Sequence, residues 1–245
     1  MGVLSIMQEN PQRRSCLRRL TIGGAAAAAA ISGGLLGAPA PTAAAAPCPD
    51  VEVVFARGSG EPPGVGGVGG AFVDAVRSDI GARSLGVYAV NYQASTDFGS
   101  SDFPLTVIEG IRDAGNHIQS MASSCPNTRE VLGGYSQGAA VAGYVTSAAV
   151  PPGVPAAAVP QPLPPATANH VAAVALFGTP SPEFLSQYGA PQIAIGPLYQ
   201  PKTIQLCADG DTICAGGGTT PTFAHMAYPT NGMTSQAAEF ATSHL

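Results

Sequence analysis

The chain has 245 residues and a net charge of −5 at pH 7, with 45% hydrophobic and 10% charged residues. Four of the ten basic residues and one of the fifteen acidic residues lie within the first 46, so the remainder has 6 basic and 14 acidic residues and a net charge of −8. Such an acidic chain lacks the basic surface that nucleic acid binding requires, and we expect no nucleic acid partner.

The first 46 residues have the three-part layout of an export signal. A basic segment, QRRSCLRRL, precedes an apolar segment rich in alanine and glycine, and the small residues APAPTAAAA follow. We therefore predict an export signal over residues 1–46 that is removed near Ala46, and a secreted mature protein. Two arginine pairs make the twin-arginine route an alternative to general secretion, whereas glycine and proline interrupt the apolar run and disfavour a retained membrane anchor.

The remaining residues, 47–245, are sufficient for one domain with a single hydrophobic core. Within them, apolar segments typical of buried strands alternate with amphipathic segments typical of helices. The predicted strands are, in chain order, VEVVFA (51–56), GVYAVNY (86–92), EVLGGYS (130–136), HVAAVALFG (170–178) and TIQLCA (203–208). The predicted helices cover 69–83, 102–125, 137–148 and 233–244. This alternation predicts an α/β fold in three layers, with a central, mostly parallel sheet covered by helices on both faces.

A proline-dense segment, residues 150–167, can form neither a helix nor a central strand. It follows the helix that begins after Ser136, and such a helix carries the chain back toward the amino edge of the sheet. Sites in open α/β sheets form beyond the carboxyl ends of the strands. We therefore expect this segment to lie away from the chemistry, as a stiff surface excursion rather than a lid.

Four cysteines remain after removal of the export signal, and they are Cys48, Cys125, Cys207 and Cys214. An even number in an exported chain predicts two disulfides, for which three pairings exist. Only six residues separate Cys207 from Cys214, so local pairing is the economical choice and leaves Cys48 to pair with Cys125. A zinc site built from these cysteines is disfavoured because no C-x-x-C pair is present.

The stretch LGGYSQGAAVAGYV, residues 132–145, contains the pattern G-x-S-x-G around Ser136. In a chain with 31 glycines this pentapeptide carries little weight by itself. Its position is more informative, because Ser136 lies where a predicted strand ends and a predicted helix begins. Such a turn is so tight that only glycine fits at Gly134 and Gly138, and it exposes the serine hydroxyl beside the free N–H groups of the helix. The context therefore predicts Ser136 as a nucleophile.

A serine nucleophile needs a base and an acid that orients the base, and strand–turn–helix hydrolases place them in the order serine, acid, histidine. Chain order or a terminal position disfavours three of the four histidines, namely His117, His170 and His244. His225, in FAHMAY, is flanked by apolar residues, although taken alone such a histidine is more often structural. Asp209 and Asp211, in CADGDTIC, are both candidates for the acid, because they follow a predicted strand within a loop that a disulfide would close.

Residues 47–245 resemble the cutinases, most closely the cutinase-like serine esterases of actinobacteria. The resemblance is carried by FARGSGE, GGYSQGA, CADGDTIC and FAHMAY, in this order, and by the positions of the four cysteines. It implies Ser136 as the nucleophile, Asp211 as the orienting acid and His225 as the base. It further implies an oxyanion hole formed by Ser59 and Gln137, through their backbone N–H groups and the Ser59 hydroxyl.

The resemblance also implies the fold and the activity. The implied fold is a small α/β hydrolase with a five-stranded sheet, a shallow site with little lid, and disulfides that join Cys48 to Cys125 and Cys207 to Cys214. The implied activity is the hydrolysis of carboxylic esters with short-to-medium acyl chains through an acyl-enzyme. We expect no metal or cofactor. The pattern G-x-G-x-x-G within residues 64–69 does not indicate a dinucleotide site, because two prolines and a loop separate it from the preceding strand.

Two other functions remain compatible with these motifs. An acetylxylan esterase would share the fold and the order of the three side chains, and a secreted binding protein or surface antigen could keep the fold without turnover. The proline-dense segment and the stretch PPGVGGVGG (62–70) exceed the pattern of the fungal enzymes, so acyl-chain preference cannot be transferred from them. We expect a monomer that acts on an ester or lipid substrate and makes transient contact with a lipid or polymer surface.

Overall fold

A five-stranded parallel sheet organises residues 47–245, which are the residues that this computed structural model describes. The strands are β1 (Val51–Ala56), β2 (Leu85–Ala89), β3 (Arg129–Tyr135), β4 (Val171–Phe177) and β5 (Thr203–Leu206). Their order in the sheet is β2-β1-β3-β4-β5, and every neighbouring pair is parallel. The predicted α/β fold with a five-stranded sheet is therefore confirmed. The export signal predicted over residues 1–46 lies outside the described residues and stays a prediction.

Helices cover both faces of this sheet. They are α1 (Gly66–Asp79), α2 (Phe103–Ser124), α3 (Gln137–Val145), α4 (Pro165–Ala168), α5 (Pro182–Gln187), α6 (Thr212–Ala215) and α7 (Met233–Thr242). One apolar cluster joins α1 and α7 to one face of the sheet, and a second joins α2 and α3 to the other face. Among residues 47–245, none of the helices combines the length and the apolar character that spanning a bilayer demands.

The predicted and observed element boundaries agree within a few residues, and the differences have local causes. Helix α1 ends at Asp79, four residues earlier than predicted, just before Gly81 takes a left-handed conformation with φ 66°. Strand β2 ends at Ala89 rather than Tyr92. Beyond it, the carbonyl oxygens of Tyr92 and Gln93 accept hydrogen bonds from the Arg57 guanidinium, so a side chain takes the place of a neighbouring strand.

The disulfide Cys48–Cys125 ties the start of the described chain to the end of α2 across 77 positions of sequence. This pairing confirms the predicted one. In the chain-entropy account, closing a loop of this length stabilises the fold by about 4 to 5 kcal/mol. The disulfide therefore anchors the amino-terminal segment from which β1 enters the centre of the sheet.

A pair of buried glutamates lies between the sheet and α2. Glu52 on β1 and Glu130 on β3 are directly opposite one another across the two strands, and both are at least 92% buried. His117 of α2 lies 2.8 Å from a Glu52 carboxylate oxygen, whereas both Glu130 oxygens have no hydrogen-bond partner in residues 47–245. Burial, and secondarily the charge of Glu52, raises the pKa of Glu130 to about 8.

We expect Glu130 to make the protein less stable as pH rises. Its pKa is raised in the folded state, so from its ordinary value of 4.5 up to about 8 the unfolded chain releases a proton that the folded chain keeps, and the free energy of unfolding falls. Glu130→Gln should remove this fall and stabilise the protein at pH 8 by up to about 4 kcal/mol, because each unit by which the pKa is raised corresponds to about 1.4 kcal/mol. Urea unfolding at pH 5 and pH 8 measures both effects. The exposed Glu239→Gln is the matched control, and a Glu130→Gln variant that retains the full pH dependence would contradict the assignment.

Candidate active site

Ser136 occupies a strained turn between β3 and α3. Its backbone has φ 55° and ψ −117°, a region that residues with a side chain rarely adopt. A Cβ atom on Gly134 would lie 2.1 Å from the Gly138 carbonyl oxygen, and one on Gly138 would lie 1.9 Å from the carbonyl oxygen of Ala56. Glycine is therefore required at both positions, as the pattern G-x-S-x-G predicted, and the turn presents the Ser136 hydroxyl beyond the carboxyl end of β3.

The structure brings three of the predicted side chains into one hydrogen-bonded chain. His225 Nε2 lies 3.0 Å from Ser136 Oγ, and His225 Nδ1 lies 2.8 and 2.9 Å from the two carboxylate oxygens of Asp211. His225 is 4% exposed and Asp211 is fully buried. Of the two candidate acids in CADGDTIC, Asp211 thus contacts the imidazole, and no hydrogen bond joins Asp209 to it in the described structure.

Asp211 is held as a carboxylate by several donors. Burial alone would raise its pKa, but hydrogen bonds donated by His225 and Tyr228 outweigh burial and hold the pKa below its ordinary value. The Tyr228 hydroxyl donates to Asp211 Oδ2 at 2.6 Å, and the Ile213 N–H donates to Asp211 Oδ1 at 3.0 Å. The carboxylate is therefore available to orient the imidazole and to stabilise it when it becomes protonated.

The disulfide Cys207–Cys214, the second of the predicted pairs, closes the loop that carries Asp211. Both sulfur atoms are used in this bond, so they are not available as thiolate ligands for a metal beside Asp211. The short loop leads from β5 into α6 and leaves the carboxylate little freedom of position. It therefore contributes to the fixed geometry of the Asp211–His225 pair.

Tyr228 is a site residue that the sequence reasoning missed. It is fully buried, donates to Asp211 and accepts a hydrogen bond from the Ala208 N–H at 3.1 Å. The motif FAHMAY contains a signal that could have identified it, because Tyr228 follows His225 by three residues and lies just beyond the short 3₁₀ helix Phe223–Met226. The hydroxyl of a buried tyrosine usually has a hydrogen-bond partner, and here the partner is the Asp211 carboxylate.

The two residues predicted to form the oxyanion hole lie beside Ser136. Ser59 and Gln137 both line the cavity that contains Ser136 and His225. Gln137 is the first residue of α3, where backbone N–H groups have no partner within the helix. The Ser59 hydroxyl is buried and has no hydrogen-bond partner in residues 47–245. Unused donors at this position can point at a negatively charged oxygen.

The loop that carries Ser59 is held by Arg57 and Glu61, two further residues that the sequence reasoning did not single out. The Glu61 carboxylate accepts from the Gly58 N–H at 2.6 Å and the Gly67 N–H at 2.7 Å. The Arg57 guanidinium donates to the Glu61 carbonyl at 2.8 Å and is 5% exposed. Charged side chains in FARGSGE thus satisfy the backbone of this loop, which explains why the motif holds an arginine and a glutamate around its serine.

A cavity of about 840 Å³ opens at Ser136 and extends well beyond the three side chains. Its lining includes residues of α2, α3 and α5 and ten residues between Val150 and Leu163. The expectation that the proline-dense segment lies away from the chemistry is therefore wrong. Helix α3 has only nine residues and ends at Val145, which itself lines the cavity, and further along the chain Leu163 lies against Gly115 of α2. The cavity is also larger than the shallow site that the resemblance implied.

A parallel α/β sheet with a serine–histidine–aspartate chain at its carboxyl edge defines a hydrolase of the α/β type. Comparisons with known proteins agree with this class. The family model described as Cutinase matches residues 47–245. The chain belongs to the cutinase family, and the predicted resemblance is confirmed.

Relatives and solved structures add detail. A probable carboxylesterase, Culp7 of Mycobacterium tuberculosis, is 73% identical over 69% of this chain and 89% of its own length. Phospholipase Culp4 of the same organism is 49% identical over 95% of each chain. A Trichoderma reesei cutinase bound to a phosphonate inhibitor is 34% identical, with a TM-score of 0.59 over 80% of this chain and 77% of its own. An acetyl xylan esterase is 26% identical, with a TM-score of 0.63 over 81% and 99%. Family and fold together confirm the prediction of a carboxylic ester hydrolase.

We expect Tyr228→Phe to weaken the site without removing any of the three aligned side chains. The variant loses a donor to Asp211 and leaves the Ala208 N–H without an acceptor, so the free energy of unfolding should fall by about 1 to 3 kcal/mol. With Asp211 less firmly held, kcat for p-nitrophenyl butyrate should fall about tenfold while KM changes little. Tyr88→Phe, which removes a hydroxyl that bonds to Asp113 away from the site, is the matched control. Equal kcat values for the two variants would show that Tyr228 does not position Asp211.

Proposed function

We propose that the protein hydrolyses carboxylic esters in two steps through an acyl-enzyme on Ser136. His225 accepts the Ser136 proton as the hydroxyl attacks the ester carbonyl carbon, and then returns this proton to the leaving alcohol. Water, activated by the same imidazole, then attacks the acyl-enzyme and releases the acid. Asp211 fixes the ring so that Nε2 faces the nucleophile, and it stabilises the protonated ring.

The observation that carries this proposal is the unbroken contact from Asp211 through His225 to Ser136, with both ring nitrogens within 3.0 Å of an oxygen. A lowered pKa keeps Asp211 ionised, as the mechanism requires. Only a neutral imidazole can accept the Ser136 proton, so the mechanism uses the unprotonated ring of His225 as the base. The N–H groups of Ser59 and Gln137 and the Ser59 hydroxyl would bind the oxyanion of the tetrahedral intermediate.

The substrates that we propose are esters of short-to-medium acyl chains, including lipids. The relatives named as carboxylesterases and as a phospholipase support this class. Two exposed apolar side chains lie on the short helix that carries His225, namely Met226, which lines the cavity and is 59% exposed, and Phe223, which is 89% exposed. Apolar side chains at the mouth of a site favour transient contact with a lipid or polymer surface.

We further propose that the mature chain is a secreted monomer, in keeping with its two disulfides.

Acetylxylan esterase is the second candidate, and the structural likeness to an acetyl xylan esterase favours it over other ester hydrolases. A comparison of hydrolysis rates separates the two activities. An acetylxylan esterase would act faster on acetylated xylan, whereas an esterase of short-to-medium acyl chains would act faster on butyrate and octanoate esters. A binding protein or antigen without turnover is the remaining alternative. It would give no labelling of Ser136 by a fluorophosphonate probe, whereas an esterase reacts at this serine.

We expect Ser136→Ala to reduce kcat/KM for p-nitrophenyl butyrate by at least about a thousandfold, because the nucleophile is lost. Fluorophosphonate labelling should disappear with it. Ser120→Ala, which removes an exposed hydroxyl on α2 outside the cavity, should keep both the rate and the labelling. A Ser136→Ala protein that retains most of its rate would show that the catalytic hydroxyl lies elsewhere.

The Ser59 hydroxyl should matter for turnover rather than for ground-state binding. Ser59→Ala removes one oxyanion donor and is expected to lower kcat by about a hundredfold with little change in KM. Ser59→Thr keeps a hydroxyl and should recover a large part of the loss. Steady-state kinetics with p-nitrophenyl butyrate measure both variants, and a wild-type kcat in Ser59→Ala would exclude the hydroxyl from the oxyanion hole.

A further inference from the structure

The cavity at Ser136 continues as a groove along the outer face of α2. Its floor is an apolar stripe at helical spacing, Val107, Ile108 and Ile111, with Gly115 one turn further on. We propose that this groove, called the α2 groove below, binds the acyl chain of long-chain esters of about 12 to 16 carbons. The proposal rests on the esterase function proposed above and extends it beyond short-to-medium chains.

The α2 groove joins the reaction site at the first turn of α2. The Gln137 side chain donates to the Ser95 carbonyl at 3.2 Å, and the Phe98 ring lies 4.8 Å from the ring of Phe103, the first residue of α2. Because α2 follows β2, it starts at the carboxyl edge of the sheet and runs away from that edge. An acyl chain attached to Ser136 can therefore enter the groove at its open end and extend along the helix.

The second side of the floor comes from α3. Ala140 and Tyr144 project from the helix face that continues from Gln137, and both line the cavity. The Tyr144 hydroxyl already donates to the Pro191 carbonyl, and the Ser147 hydroxyl donates to the Ala194 carbonyl at 3.0 Å. These hydroxyl groups are occupied by main-chain acceptors, and although Arg112 and Asn116 of α2 also line the cavity, most of the floor offers a ligand apolar contact. A mainly apolar lining suits a hydrocarbon chain better than a sugar.

The proline-dense segment closes the far end of the groove. Val154, Pro160 and Leu163 belong to this lining. Proline has no N–H donor and a fixed φ, so a proline-rich wall can face a hydrocarbon chain with few unpaired donors and little loss of conformational freedom on binding. A preformed wall of this kind explains why a surface segment without a helix or strand over residues 150–164 is held against α2.

The length of the lined helix face sets the length of the chain. From Pro104 to Gly115 the helix advances about 16 Å at 1.5 Å per residue. A fully extended carbon chain advances about 1.25 Å per bond, from bonds of about 1.5 Å and angles near 111°, so about 13 bonds span this face. The cavity volume of about 840 Å³ is within the range of sites that enclose a ligand of this size.

Gly115 offers a means of shortening the groove. It is buried on the floor, and a Cβ added there would lie 3.6 Å from Leu163 Cδ2, which is an ordinary contact. Leucine at this position fits the helix better than glycine and would fill the far end of the groove. Val107, about 5 Å from Pro104 along the axis, allows an obstruction much nearer to the reaction site.

The test compares kcat/KM for p-nitrophenyl butyrate, octanoate, dodecanoate and palmitate at a fixed mole fraction in one detergent. Gly115→Leu should lower the ratio of kcat/KM for palmitate to that for octanoate at least tenfold. Each methylene group that stays in water instead of entering the groove lowers kcat/KM by up to about fourfold. Val107→Phe should lower the octanoate-to-butyrate ratio as well. Gly70→Leu introduces the same side chain on α1, in open space outside the cavity, and should leave every ratio unchanged.

The two obstructions at different depths distinguish a groove from a general effect on the fold. A chain-length cut-off that moves with the position of the obstruction supports the proposal, and equal losses at all chain lengths overturn it. Ratios in Gly115→Leu that match those of Gly70→Leu also overturn it. If the proposed function itself fails, wild-type hydrolysis of butyrate is absent or persists in Ser136→Ala, which is a different result from any of these.

Discussion

The close approach of Gly138 to the end of β1 is the contact on which the rest of the site depends. A Cβ atom on Gly138 would lie 1.9 Å from the Ala56 carbonyl oxygen and 2.5 Å from that of Arg57. Without a side chain there, the start of α3 packs directly against the segment that leads to Ser59. One backbone contact thus places Ser136 and the loop that carries Ser59 side by side, at the ends of two neighbouring strands of the sheet.

Burial of charged groups in this protein has two outcomes, and the number of donors decides between them. Asp211 is fully buried, yet its pKa is lowered, because His225, Tyr228 and the Ile213 N–H all donate to it. Glu130 is 1% exposed and receives no hydrogen bond from the described part of the chain, and its pKa is raised to about 8. The buried carboxylate at the carboxyl edge of the sheet is thus kept ionised beside His225, whereas the one beneath α2 favours its neutral form.

The sheet supports two parts of the site that differ in their tolerance of change, namely the centre formed by Ser136, His225 and Asp211 and the α2 groove around it. Backbone contacts and buried hydrogen bonds fix the turn at Ser136, the loop of Asp211, and the loop of Ser59 that Arg57 and Glu61 hold. In such a centre a displacement of a few tenths of an ångström changes the alignment of the reacting groups. The α2 groove consists of apolar side chains and a proline-rich wall, in which volume matters more than direction. A difference in substrate between members of one family can therefore arise in the wall while the reacting centre stays the same.

The amino-acid sequence by itself determined the order of strands and helices, the economical pairing of the cysteines and the turn at Ser136, because periodicity, spacing and the glycine turn are local properties of the chain. It left Asp209 and Asp211 open as the partner of His225, and the resemblance of CADGDTIC to the cutinases selected Asp211. Only the tertiary structure decided that Tyr228 donates to Asp211, that Arg57 and Glu61 hold the loop of Ser59, and that residues 150–163 border the cavity. These facts depend on contacts between segments that are distant in sequence. Local patterns carry no information on the path by which a short helix such as α3 returns the chain, so the position of the proline-rich wall could not be deduced from them.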